Sequence, residues 1–171
     1  MVVVMGSDGQ YNSHIHYLLG IILAFMVNCS YASVTWKQAN EVFQRLEQVN
    51  YSSAPLWYDD SDEVNAEATI TGVHINKGML QFLDNEDQLA EILGHELGHL
   101  HYGDIWHKHT KYMESRADLY GFELSKAAGF NACNGAEVLH NFEVVFGDED
   151  SNTHPRNSIR YDALEKYCRT P

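Results

Sequence analysis

The densest run of chemically capable side chains is His95-Glu96-Leu97-Gly98-His99. On a helix, positions four apart share a face, so the two imidazoles project towards one point. That spacing suits two nitrogen ligands on a single Zn²⁺, each about 2.0–2.1 Å from the ion. Glu96, next to the first ligand, sits where it can reach a water beside the metal. A catalytic zinc takes a third protein ligand and leaves a fourth position open. Glu114-Ser115-Arg116-Ala117-Asp118 offers one, 15 residues after His99. Glu114 is the expected ligand, and Asp118, four residues on, can accept the free ring N–H of a ligand His and fix its tautomer. Taken alone, such an E-x-x-A-D stretch is equally an ordinary amphipathic helix surface; the two motifs together make a site.

These residues need elements to hold them. Asn85-Glu86-Asp87-Gln88 has the composition of a capped helix start, with Asn85 as N-cap and Gln88 three residues on. The helix it opens carries Leu89, Ile92, Leu93, Leu97 and Leu100 at helical spacing and contains the whole His95–His99 motif. The gap to Glu114 is long enough for that helix to end and an antiparallel one to return, over about residues 110–128, stopped by Gly129. Upstream, Trp36 to Val49 has helical periodicity. Leu56-Trp57-Tyr58 is a short strand candidate whose aromatics, with Phe82, are expected in the core. The segment Thr69 to Asn76 is β-branched and alternating, with Gly72 marking a bulge or a close backbone approach. Further helices are expected over 135–146 and 156–168. Many helices with one small group of strands, expected to be antiparallel, define an α+β domain.

The combined pattern, His95-Glu-x-x-His99 followed by Glu114-x-x-Ala-Asp118-x-x-Gly121, resembles the gluzincin peptidases that include the CAAX prenyl endopeptidases, HtpX and BepA-like periplasmic proteases. Asn65-Ala66, Ile75-Asn76-Lys77-Gly78-Met79-Leu80 and the run Asn85 to Gly94 are similar to that family's edge strand, following helix and approach to the metal helix. His154-Pro155 with Arg160 and Leu164 is similar to its C-terminal His-Pro…Arg…Leu segment. The resemblance spans about residues 36–168 and implies a mostly helical gluzincin domain with one Zn²⁺ on His95, His99 and Glu114. It implies a zinc metalloendopeptidase acting on unfolded or extended polypeptide through a metal-activated water, with Glu96 as general base, in envelope protein quality control. It also implies that His154 lies near the metal, as an oxyanion donor or as a fourth ligand that shuts the site, and that Arg160 contacts a carboxylate or the oxyanion. The strand carrying Val73, His74 and Ile75 is expected to hold an extended substrate by main-chain pairing. A latent or non-catalytic metal-bearing binding protein, its cleft closed by His154, is the alternative. The chain lacks the hydrophobic segments that the family's integral-membrane members carry between His99 and Glu114, which leaves a bare peptidase core. The additional histidines His101, His107 and His109 invite a second metal site, but solvated polar residues are the expected reading. Trp106 is a candidate for the cleft rim.

The rest of the chain sets compartment and partners. Tyr17 to Val27 is an apolar run of 11 residues, short of the roughly 20 that span a bilayer but suited to a secretory signal. Ser30 and Ala32 are placed for cleavage before Ser33, although no Lys or Arg precedes the run; a buried helix or an uncleaved short anchor are the other readings. The expected organisation is a signal over 1–32 and one domain over 33–171, periplasmic or secreted. Cys133 and Cys168 then remain as a disulfide candidate, or as two separate buried thiols. With 11 basic and 24 acidic residues in 171, the formal charge is −13. No Lys/Arg cluster exists to bind nucleic acid or an anionic membrane.

Overall fold

A computed structural model describes residues 33–50, 53–151 and 155–169. The proposed signal segment, its cleavage site and His154 lie outside the described residues. Among those described there are six α-helices and a three-stranded sheet: α1 (Trp36–Val49), β1 (Leu56–Asp59), β2 (Ala66–Thr69), β3 (Gly72–Asn76), α2 (Lys77–Phe82), α3 (Glu86–Tyr102), α4 (Lys111–Ala127), α5 (Ala132–Phe146) and α6 (Asn157–Cys168). This is an α+β arrangement dominated by helices. No helix among the described residues is long and apolar enough to cross a membrane.

Helix α3 is the axis of the domain. The Asn85 side chain caps it by accepting from the Gln88 backbone N–H, and Gly103, at φ 69°, ends it in the left-handed region. It is buried without interruption from Gln88 to His99. A helix buried all round must have neighbours on every side: α1, α4, α5 and the sheet pack against it. Leu89, Leu93 and Leu97 are fully buried there, joined in one core by Val42 and Leu46 of α1, Val73 and Ile75 of β3, and Val138 of α5.

The sheet differs from expectation in two ways. It is mixed: β2 runs antiparallel to β3, whereas β1 runs parallel to it. The strand order is β1-β3-β2, so the strand of Val73, His74 and Ile75 is central and paired on both sides. The long β-branched run is a hairpin that turns through Ile70 and Thr71, and this turn makes β2 a strand of its own. Gly72 sits at φ 130°, and a Cβ there would lie 2.2 Å from the Pro55 carbonyl oxygen, which accepts from the Val73 N–H at 2.9 Å. That close approach seats β1 against β3.

Three smaller expectations shift. Trp57 and Tyr58 are 48% and 39% exposed rather than core, because β1 is an edge strand; the Trp57 indole N–H instead bonds the Thr71 carbonyl at 2.9 Å. Helix α5 starts at Ala132 rather than 135, capped by Asn131. Phe82 is half-buried in a stack with Phe142, centroids 5.0 Å apart. Cys133 and Cys168 form a disulfide that ties the start of α5 to the end of α6.

Candidate metal centre

The site forms where α3 and α4 touch almost backbone to backbone. A Cβ on Gly94 would meet the Gly121 Cα at 2.9 Å, and one on Gly121 would meet the His95 backbone nitrogen at 2.6 Å. Glycine at both positions lets α4 approach closely enough for Glu114 and Asp118 to reach the imidazoles of α3. His95 and His99 stand edge to face, with their Nε2 atoms 3.0 Å apart. Glu114, 1% exposed, faces both: its Oε2 is 3.7 Å from His95 Nε2 and its Oε1 is 3.6 Å from His99 Nε2. One donor atom from each of these three residues lies within 4.8 Å of the others.

The outward ring nitrogens are held as well. His95 Nδ1 lies 2.9 Å from Asp118 Oδ1, and Arg160 grips the same carboxylate through Nε (2.9 Å) and Nη2 (2.6 Å). Burial alone would raise the Asp118 pKa; the charge and hydrogen bonds of Arg160 outweigh it and hold this acid well below its usual range. An ionised carboxylate only accepts, so Nδ1 is the protonated nitrogen and Nε2 is left with its lone pair directed inward. His99 is treated alike: its Nδ1 lies 3.0 Å from Asp104 Oδ2, and Arg116 pairs with the other oxygen of that fully buried acid. Two imidazoles with anchored Nδ1 atoms plus one carboxylate form a donor set that fits zinc.

Glu96 lies beside this group, buried, with the Ala68 backbone of β2 among the groups that act on its charge. In the metal-free protein burial pushes its pKa up to about 7, with His95 opposing and Glu114 adding to the rise. A carboxyl poised near neutrality can both accept and return a proton. A cavity of about 190 Å³ opens in front, reaching from His95, Glu96 and Glu114 to Phe142 of α5 and Arg160 of α6.

The structure therefore brings together His95, Glu96, His99, Glu114, Asp118 and Arg160. Arg160 meets a carboxylate, that of Asp118. Val73, His74 and Ile75 stand apart: Val73 and Ile75 are fully buried, and the His74 ring bridges Asp59 (3.0 Å) and Thr71 (2.9 Å). As part of a central strand they have no free main-chain edge to offer a substrate. The strand that reaches the site is β2. Trp106 is exposed and lines a separate hollow with Ile70 and Leu100.

Sequence reasoning missed Asp104, Glu91 and His109. Asp104 lies in a 3-10 turn just after the helix-ending Gly103, so an acid directly past that glycine was the available signal. Glu91 is one turn before His95 and lines the same cavity. His109 was expected to be solvated, but its Nδ1 is 3.4 Å from Glu114 Oε1 and its ring lies 5.0 Å from that of His99.

Residues 35–110 match the model of peptidase family M48, a family of zinc metallopeptidases. The matched span covers α1, the sheet and the whole of α3, and ends just before α4. Over that span the chain is similar to the M48 metallopeptidases. No curated protein matches the chain.

Proposed function

We propose that this protein is a zinc metalloendopeptidase of the gluzincin type, similar to the CAAX endopeptidase, HtpX and BepA-like enzymes. The observation that carries this reading is the convergence of two Nδ1-anchored imidazoles and a buried carboxylate beside a second buried carboxyl near neutrality. His95, His99 and Glu114 would hold the ion. When bound, zinc supplies Lewis acidity and lowers the pKa of an attacking water towards about 7. Glu96 takes the proton of the attacking water and delivers it to the leaving amine. Asp118, fixed by Arg160, orients His95, and Asp104, fixed by Arg116, orients His99.

An extended substrate is best placed along β2. Ala66 of that strand lines the cavity together with Glu96, and among the described residues β2 is an edge strand, paired on one side only, with β3. Pairing of this kind gives affinity without strong sequence selection, which suits unfolded polypeptide in envelope quality control. The joined cysteines support an exported, oxidising compartment, periplasmic or extracellular.

Zinc content and casein cleavage, measured with and without chelator, test the reading. We expect one zinc per chain, cleavage that chelation abolishes, and a loss of about 10²–10⁴-fold in Glu96→Gln at unchanged zinc content. Zinc bound with no cleavage of any protein substrate would favour the binding-protein alternative.

A further inference from the structure

We propose that the cavity beside the metal centre is a specificity pocket for a lysine- or arginine-like side chain next to the scissile bond, with Glu91 receiving its charged head. This rests on the metallopeptidase reading and adds to it the class of side chain selected.

Glu91 is one helical turn before His95 and lines the cavity together with it. It is 3% exposed, and its Oε2 has no hydrogen-bond partner among the described residues. An unpartnered buried carboxyl is costly to maintain, and a leucine would fill the same helix position without that cost. No step assigned to Glu96, His95 or Asp118 uses it. Arg160, the cation lining the cavity, has its guanidinium directed to Asp118 through two bonds. The lining otherwise carries Glu91, Glu96, Glu114 and Asp118, so the polar part of the wall is predominantly acidic.

Apart from Asn65 and His95 the remaining wall is apolar, with Met79, Ile92, Leu139 and Phe142 among its residues. A long aliphatic stem fits against these groups while a terminal cation reaches the acid, the usual way in which Lys and Arg divide their surfaces. A purely apolar side chain would leave Glu91 unpaired, and an acidic one would meet the carboxylates. A site built to hydrogen-bond a polar group rejects analogues that lack it. The chain's net charge of −13 also favours basic segments during encounter.

The test uses three fluorescein-labelled nonapeptides of Ala, Ser and Gly that differ only in a central Lys, norleucine or Glu. Their affinities are measured by anisotropy on zinc-loaded full-length Glu96→Gln protein, alone and combined with Glu91→Leu or Glu91→Gln. The Lys peptide should bind at least about tenfold tighter than the norleucine peptide, and Glu91→Leu should remove or invert that ratio. If Glu91→Leu fails to fold, Glu91→Gln, which keeps the shape and removes the ionisable group, should still reduce the ratio. The proposal is overturned by a Lys/norleucine ratio near one, by a ratio indifferent to Glu91 substitution, or by no binding of the Lys peptide. Wild-type protein that cuts these peptides without preference refutes the pocket and leaves the peptidase reading standing. Protein that binds the Lys peptide through Glu91 but, loaded with zinc, cuts nothing refutes the peptidase reading and leaves the pocket.

Discussion

Each metal-facing imidazole is secured by its own relay, Asp118–Arg160 for His95 and Asp104–Arg116 for His99. The two relays are separate, so damage to one should be local. Asp104→Asn is expected to weaken zinc binding by about 10–100-fold, as loss of such outer partners typically does, and chelator competition measures it. Glu96 yields a second expectation, for the metal-free protein. Its pKa rises from 4.5 to about 7 on folding, so between those values the folded chain holds a proton that the unfolded chain has lost. Stability therefore falls as pH rises through this window: the penalty is absent below about pH 4.5 and complete above about pH 7, at about 3 kcal/mol. In chelated protein, Glu96→Gln should unfold at higher urea than wild type at pH 8, with the advantage vanishing near pH 4.5. At this scale the sequence is transparent wherever partners share a helix. His95, Glu96 and His99 follow from a period of 3.6, and Glu114 with Asp118 from the same rule. His109 is opaque, and Asp104 is marked only by its place just past the helix-ending Gly103, because both positions depend on the path of the chain between two helices, which no periodicity encodes.

At the scale of elements, the centre depends on the distance between α3 and α4. Gly94 and Gly121 set it, since each leaves room for the other helix's backbone. Gly121→Ala would push its methyl group into the His95 backbone and move Glu114 and Asp118 away from the imidazoles. A loss of about 1–3 kcal/mol in urea unfolding is expected, together with weaker zinc retention on dialysis. Alanine is otherwise the better helix former, so a destabilisation here would isolate the helix contact as its cause. The helices were legible, apart from a few residues at the start of α5, because caps and apolar spacing are local. The sheet was not. Thr69 to Asn76 has the pattern of one strand because every residue but Gly72 suits one, and the turn at Ile70-Thr71 lacks the usual Asn-Gly signal. Nor could local sequence reveal that β1 pairs with β3 rather than β2, because that choice is made by the Pro55 carbonyl meeting Gly72.

Across the whole molecule, the disulfide has the longest reach. Cys133 and Cys168 are 35 residues apart, and closing a loop of that length in the unfolded chain corresponds to about 4 kcal/mol in the chain-entropy picture. It also fastens the far end of α6, the helix that carries Arg160. Replacing both cysteines with serine should lower the urea midpoint and weaken zinc affinity together, because a loosened α6 releases Asp118. Cysteine count suggested the pair, while only the fold shows that it braces a helix serving the metal centre.

The four residues of β2 have a consequence for how a chain would be handled. At about 3.3 Å per residue, this strand offers a grip of only about 13 Å, whatever the length of the guest. If an extended substrate pairs along β2 as proposed, the few main-chain bonds over that span would not retain it between successive cuts. Fragments would leave and rebind, giving a distributive rather than a processive tool.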